Sequence, residues 1–143
     1  SKQHLLFELV SIGHEVHRDR IRAALLDAGR EPAAQIAAIT RAHVLAHLEF
    51  PGLARITNRE VRNLSEEQRA AILLTRSDAE RAFLDVIERG LRLGEFRAPE
   101  PMLAVYAVGG MGVRAAEWWT EDSTFTAEQV ADTYADFAVR LLT

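Results

Sequence analysis

The chain has 143 residues, enough for one domain with its own hydrophobic core. Its 17 basic and 21 acidic side chains give a formal charge of −4, the wrong sign for a domain that neutralises nucleic-acid phosphates. Cysteine is absent, which excludes disulfides, thiolate nucleophiles and cysteine metal sites. No signal peptide or apolar stretch of membrane-spanning length is visible, so we expect a cytoplasmic protein with no membrane partner.

The residue pattern predicts an all-α fold, a bundle of six helices in a single domain over residues 1–143. Alanine and leucine are abundant, alternating β-branched runs are absent, and the four prolines fall at predicted helix boundaries. The first helix is capped by Ser1 and ends at Gly29. The second begins at Pro32 and runs through Glu49, and a short third helix covers residues 51–64.

Two later helices each begin with a capping box, a serine or threonine three residues before a glutamine, at Ser65/Gln68 and Thr126/Gln129. The fourth helix is the longest and reaches Leu93 before Gly94 ends it. Between these two helices, residues 101–119 begin with thirteen consecutive uncharged residues, which predicts a buried fifth helix at the centre of the fold.

Four histidines are candidate polar groups of a site. His14 and His17 lie three apart on the first helix and could share a metal ion, but no third ligand accompanies them at helical spacing. His43 and His47 lie four apart on the buried second helix, a spacing that also suits a metal ion. A histidine hydrogen-bonded to a neighbour or to a ligand is the favoured alternative, so we treat this pair as pocket groups and expect no metal or cofactor.

The fifth helix has two unlike sides. One carries almost no side-chain bulk, which suits close approach by another helix: Val105, Gly109, Gly112 and Ala116. The other joins a polarisable methionine and a flat indole to one cation, as in a pocket for an organic anion: Ala107, Met111, Arg114 and Trp118. The alternative is that the glycines only weaken the helix and Arg114 extends into solvent past a core tryptophan.

The sixth helix carries more apolar surface than the core of one chain needs, in two adjacent stripes. We therefore predict a homodimer in which the fifth and sixth helices of both subunits form a four-helix bundle. The predicted interface consists of Val105, Gly109, Gly112, Val113, Ala116, Val130, Tyr134, Phe137 and Leu141.

We predict a pocket for a bulky apolar acid, or its coenzyme A thioester, between the second, fourth and fifth helices. Its apolar lining is predicted to be Phe83, Ile87, Tyr106 and Met111. Its anion site is predicted to be Arg114 beside Trp118, with Arg62 and Arg59 at the mouth, and with His43, His47 and Asn58 deeper inside. The alternative is that Arg114 pairs with an acid such as Glu117 and that side chains close the cavity.

The order of helices and several local patterns resemble the effector-binding domain of the TetR family of bacterial transcriptional repressors, over the whole chain. The start SKQHLLFELV is similar to the segment that follows the family's recognition helix, although Gln3 replaces an acid. IERGLRLGEF resembles the exit of the family's seventh helix, and TAEQVADTYADFAVRLL its closing helix. HVLAHLEFPGLARITNREVRNLSEEQR looks closest to regulators of steroid and fatty-acid breakdown, whose effectors are acyl-coenzyme A thioesters.

The resemblance implies a ligand sensor that dimerises through its last two helices and releases operator DNA when the effector binds. The family's three amino-terminal helices, which carry the helix-turn-helix, are absent from this chain, so it is expected to bind operator DNA only in a full-length form. Two alternatives stay open. One is a small all-α enzyme or metal-binding protein that uses the buried histidines, and the other is a purely structural helical interaction module.

Overall fold

The computed structural model describes all 143 residues and contains six α-helices, one short 3₁₀ turn and no strand. The helices are α1 (Lys2–Asp27), α2 (Pro32–Leu48), α3 (Pro51–Arg59), α4 (Glu66–Arg92), α5 (Pro101–Trp118) and α6 (Ala127–Leu142), and the 3₁₀ turn is Glu60–Asn63. The predicted all-α six-helix fold is confirmed. The third helix is shorter than predicted, because its last turn tightens into the 3₁₀ conformation.

Local sequence signals explain most of the helix boundaries. The side chain of Ser1 accepts a hydrogen bond from the backbone N–H of His4, which satisfies one free donor at the start of α1. Both predicted capping boxes are complete, with each glutamine side chain accepting from the backbone N–H of its cap residue. Gly29 and Gly94 adopt φ values of 77° and 74° just after α1 and α4, a conformation that glycine reaches without a steric penalty.

The helix at the centre of the fold is α2, and not α5 as the sequence suggested. α2 packs against all five other α-helices. Its side chains are buried on several sides, including Ile36, Ile39 and Val44, none of which is accessible to solvent. α5 instead leaves one side exposed, with Leu103, Tyr106 and Val113 among its accessible residues. A helix that is apolar nearly all round must be surrounded, and α2 meets that condition better than α5.

The largest group of buried residues joins α1, α2, α4, α5 and α6. Ile21, Ile36, Ile87 and Val108 lie at its centre and are almost completely inaccessible. Truncating one of these isoleucines to alanine would cost about 2–5 kcal/mol of stability, because the removed atoms leave a cavity. This core lies beside the site described below and holds the helices that form its walls.

None of the six helices combines the length and the apolar character that crossing a membrane requires.

Candidate functional site

A cavity of about 550 Å³ lies between the first five helices. Its walls come from α1, α2, α3, α4 and α5, so it includes α1 and α3 in addition to the predicted second, fourth and fifth helices. Half of its 24 lining residues are hydrophobic. A volume of this size falls in the range of about 300–1,000 Å³ that is typical of small-molecule sites. Its apolar lining includes Leu9, Ile12, Val16, Ala46, Phe50, Leu53, Phe83, Val105, Tyr106 and Val113.

Five of the residues proposed for the pocket do line this cavity: Phe83, Tyr106, His43, His47 and Asn58. They come from four different helices, and the fold brings them together as the sequence suggested.

Four other residues expected at the cavity lie elsewhere. Ile87 is fully buried in the main core, where it packs with α1 and α2 instead of lining the cavity. Met111 is half-buried and does not reach the cavity, and Arg114 and Trp118 are exposed on the outer side of α5. The physical reason is that the side of α5 carrying charged residues must face water, which carries Trp118 and Met111 away from the interior.

Arg114 is exposed to solvent, as the alternative interpretation expected, but Trp118 beside it is also exposed and is not a core residue. Glu117, the acid proposed as its partner, accepts a hydrogen bond of 2.7 Å from Arg59 of α3 instead. Arg114 takes part in none of the ion pairs of the chain. The anion site predicted on Arg114 and Trp118 is therefore not part of the cavity.

The small-residue side of α5 faces inward, toward His43 of α2. His43 Nε2–H donates to the carbonyl oxygen of Gly109 at 2.9 Å. A Cβ atom placed on Gly112 would lie 2.5 Å from the same Nε2 atom, closer than any real contact. Gly112 therefore allows a buried imidazole to approach the backbone of α5 within one subunit, whereas a Cβ atom on Gly109 or Gly110 would meet nothing within 4 Å.

Several residues predicted at the dimer interface are consequently inside a single chain. Val105, Gly112 and Ala116 are buried on the inner side of α5, and Gly109 lines the cavity. Val130 of α6 is buried in a small core cluster with Val44, Leu48, Ala115 and Ala131. The side of α6 that carries Ala131, Ala135, Ala138 and Leu142 is buried, and α6 packs against α2. This packing explains why α6 has more apolar surface than one stripe requires.

The remaining predicted interface residues are accessible to solvent, although Val113 of α5 also lines the cavity. Val113 is exposed, and Phe137 and Leu141 keep 48% and 50% of their surface accessible. Tyr134 is half-buried and its ring stacks on Phe137 with a centroid separation of 6.1 Å. Apolar side chains left exposed together on two neighbouring helices indicate a surface that another molecule covers.

Three histidines meet at one wall of the cavity, and one of them was not predicted there. His17 of α1 joins His43 and His47 of α2, with ring centroids 4.6 to 5.6 Å apart. His17 Nε2–H donates to His43 Nδ1 at 2.7 Å, and His47 Nδ1–H donates to the carbonyl oxygen of His43 at 2.9 Å. Asn58 Nδ2–H donates to His47 Nε2 at 3.2 Å.

Burial keeps these imidazoles uncharged at neutral pH. It is the largest cause that lowers the pKa of His17 to about 3, and the neighbouring His47 lowers it further. Burial likewise holds the pKa of His43 well below its ordinary value, and it lowers the pKa of His47. His14, which also lines the cavity, has its pKa lowered by burial, although its hydrogen bond to Val10 opposes the shift. A neutral imidazole offers one donor and one acceptor to a ligand.

A second, smaller cleft of about 300 Å³ adjoins the cavity and shares Asn58 and Arg76 with it. Four of its six lining residues are arginines: Arg59, Arg62, Arg69 and Arg76. We call these four residues the arginine cleft. Only Arg59 is paired with a carboxylate, and no ion pair in the chain includes the other three.

Arg62 was predicted at the mouth of the pocket, whereas the two arginines from α4 were missed. Arg69 and Arg76 are seven residues apart, two helical turns, so they lie on the same side of α4. That spacing was available in the sequence. The contribution of α1 to the cavity was also missed, because the pocket was predicted between the second, fourth and fifth helices only.

A bundle of helices that encloses an apolar cavity and exposes apolar residues on its last two helices has the architecture of a ligand-binding and dimerisation domain. Residues 29–142 match the family model described as the tetracyclin repressor-like, C-terminal domain. The chain belongs to this family, the ligand-binding and dimerisation domains of TetR-type transcriptional regulators.

Solved structures have the same fold. A bacterial regulatory protein of the tetR family from Rhodococcus RHA1 is 25% identical with a TM-score of 0.91, and the match covers 99% of this chain and 74% of that one. The TetR family transcriptional regulator PfmR from Thermus thermophilus is 26% identical with a TM-score of 0.87, covering 98% and 76%. AibR, solved with isovaleryl coenzyme A and operator DNA, is 21% identical with a TM-score of 0.84, covering 96% and 74%. No match was found among the curated proteins.

Proposed function

We propose that this chain is the sensing part of a homodimeric transcriptional regulator and that its effector is a bulky acyl-coenzyme A thioester. The observation that carries the proposal is the common wall of two unlike spaces, an apolar cavity and an arginine-rich cleft that meet at Asn58 and Arg76. A ligand with an apolar part and an anionic part linked to each other matches that arrangement.

The apolar part of the effector would occupy the cavity. Phe83 of α4 and Tyr106 of α5, together with Leu9, Ile12 and Val16 of α1, offer it a largely hydrophobic surface. Each methylene group removed from water there contributes about 0.8 kcal/mol. His17, His43 and His47, together with Asn58, supply hydrogen-bonding groups for a carbonyl oxygen at one side of the same cavity.

The phosphates of the effector would bind in the arginine cleft. A guanidinium can donate two parallel hydrogen bonds to one phosphate, and hydrogen bonds of this charged kind are among the strongest in proteins. Arg62, Arg69 and Arg76 are not engaged by carboxylates, so a bound phosphate would not have to displace an ion pair. The coenzyme A thioester named in the AibR complex supports this class of ligand through the shared fold.

Helix α5 links the cavity to the predicted dimer surface. Tyr106 and Val113 of α5 line the cavity and are accessible to solvent, and the same helix carries the exposed Leu103. A ligand that binds more tightly to one position of α5 would shift the equilibrium between two arrangements of the dimer. In a longer form of the protein with a DNA-binding domain, that shift would alter the affinity for operator DNA. The role proposed is binding without chemical conversion.

Calorimetric titration tests the proposal directly. Long-chain and steroid-derived acyl-coenzyme A thioesters should bind the purified protein, and the matching free acids should bind more weakly, because they do not reach the arginine cleft. Arg69→Ala or Arg76→Ala should weaken thioester binding by about 1.5–3 kcal/mol, the typical contribution of a charge-assisted hydrogen bond.

Arg114→Ala is the matched control, since it removes an exposed arginine that lies outside both spaces. It should leave the affinity unchanged. Equal losses in the Arg76 and Arg114 variants would show a nonspecific charge effect and contradict the assignment. Equal binding of free acids and thioesters would restrict the effector to the apolar acid alone.

A further inference from the structure

We infer that His17, His43 and His47 form a binding site for a divalent transition-metal ion in the wall of the cavity. One ring nitrogen from each histidine lies within 4.8 Å of the other two. Three imidazole nitrogens are a donor set that suits Zn²⁺, and also Co²⁺, Ni²⁺ and Cu²⁺. The inference depends on these contacts and not on the identity of the effector proposed above.

The outer nitrogens of two of the rings are already held as they are in metal sites. A metal-bound histidine normally donates its other N–H to a carbonyl or carboxylate, which fixes the tautomer and the ring orientation. His43 Nε2–H donates to the Gly109 carbonyl, and His47 Nδ1–H donates to the His43 carbonyl. The lone pairs of His43 Nδ1 and His47 Nε2 are therefore the ones available to an ion.

His17 supplies the third nitrogen from a different helix. Its Nε2 atom lies 2.7 Å from His43 Nδ1, and its Nδ1 atom forms no hydrogen bond within the chain. The proton of His17 can therefore reside on Nδ1 when Nε2 coordinates the ion. The hydrogen bond between His17 and His43 would then be replaced by two metal bonds, with no proton lost from the cluster.

The distances need only small adjustments. A tetrahedral Zn²⁺ bound at about 2.0–2.1 Å keeps its nitrogen ligands about 3.4 Å apart. The His17–His43 pair is about 0.7 Å closer than that, and the widest separation exceeds it by at most about 1.4 Å. Rotation of the His17 ring, which is the most accessible of the three, would supply most of this change.

The site would remain open on the cavity side. All three histidines line the cavity, as does Asn58, whose amide donates to His47 Nε2 and would turn away when that atom binds the ion. Arg20 and Arg76 line the same cavity, and Arg20 is paired with Glu49, which lowers the local positive charge. A fourth coordination position would be accessible to water or to an oxygen atom of a molecule in the cavity.

Metal titration of the tag-free, chelator-treated chain tests the inference. Zn²⁺ should bind with a stoichiometry of one ion per chain in calorimetry, and Co²⁺ should develop the visible absorption bands of a tetrahedral nitrogen site. His17→Gln and His47→Gln should each weaken binding by more than the about 10- to 100-fold that loss of an outer hydrogen-bond partner costs.

His14→Gln is the matched control. His14 is buried and lines the same cavity, but it bonds to Val10 and Arg76 and lies outside the cluster. The His14→Gln variant should bind the ion with the same affinity as the unmodified chain. Absence of stoichiometric binding to the unmodified chain, or unchanged binding by both His17→Gln and His47→Gln, would overturn the inference.

Histidine ring resonances of the unmodified chain give a second measurement that does not depend on the folding of any variant. Addition of Zn²⁺ should shift the signals of His17, His43 and His47 and leave those of the exposed His4 in place. A shift confined to His4 would locate the ion at the surface and would also overturn the inference.

Discussion

The imidazole of His43 occupies the space that the missing side chain of Gly112 leaves on α5. A Cβ atom on Gly112 would lie 2.5 Å from His43 Nε2 and 2.7 Å from its Cδ2. Because His43 is buried on α2 and bonded to Gly109, it cannot move away without losing that hydrogen bond. This contact sets how closely α2 and α5 approach and which side of α5 faces the cavity.

Gly112→Ala should therefore lower the free energy of unfolding by about 1–3 kcal/mol, the usual cost of adding a methyl group to a packed interior. Gly110→Ala on the same helix is the control, because its Cβ would meet nothing within 4 Å. That change should raise stability by about 0.5–1 kcal/mol, since alanine is the better helix former. Urea denaturation of both variants checks the prediction, and a stable Gly112→Ala would show that His43 is free to move.

Gly109→Leu should block the cavity while leaving the chain folded. The position lines the cavity, and a Cβ placed there meets no atom within 4 Å, so a larger side chain would extend into the empty space. We expect a normal helical circular-dichroism spectrum, together with at least about tenfold weaker binding of a thioester that fills the unmodified cavity, a loss of about 1.4 kcal/mol or more. Unchanged affinity would place the ligand elsewhere.

Phe137→Asp should separate the proposed dimer into monomers. The phenyl ring is half exposed on the outer side of α6, next to the accessible Leu141, and a carboxylate there could not be buried against a second subunit without a large desolvation cost. Light scattering at micromolar concentration should give two chains for the unmodified protein and one for the variant. Leu74→Asp, at an exposed position of α4, should remain dimeric. A mass of one chain for the unmodified protein would contradict the dimer itself.

The metal-free chain should lose stability as the pH falls below about 6.5. Burial keeps His17, His43 and His47 neutral in the folded state, whereas in the unfolded chain they take up protons near their ordinary pKa of 6.5. The unfolded state then binds more protons, so this stability is fully present above pH 6.5 and declines toward about pH 3 for His17. Each such histidine contributes a slope of up to about 1.4 kcal/mol per pH unit.

Urea unfolding in the presence of a chelator at pH 7.5, 6.5 and 5.5 measures that slope. His17→Gln should reduce the slope of the free energy of unfolding against pH by up to about 1.4 kcal/mol per pH unit, which corresponds to one proton, because one of the buried imidazoles is removed. A stability that does not change between pH 6.5 and 5.5 would mean that these histidines are accessible to protons in the folded state.

The sequence alone determined the features that depend on neighbours a few residues apart. Ser65 with Gln68 and Thr126 with Gln129 specify where two helices begin, and Gly94 specifies where one ends, because caps and turns are satisfied within a single helical turn. The all-α class and the burial of α2 followed from composition and periodicity in the same way.

Only the tertiary structure decided how α5 is rotated and which residues meet at the cavity. Arg114 and Glu117 place the outer side of that helix in water, but the small inner side could be buried either within the chain or against a second subunit, and that side was predicted to face a second subunit. The choice depends on His43, a residue of another helix whose ring occupies the space that a side chain at position 112 would need. His17 joins His43 and His47 across 26 and 30 residues of sequence, and Arg76 joins Asn58 from α4. Contacts of this kind depend on how helices pack, which no local pattern encodes.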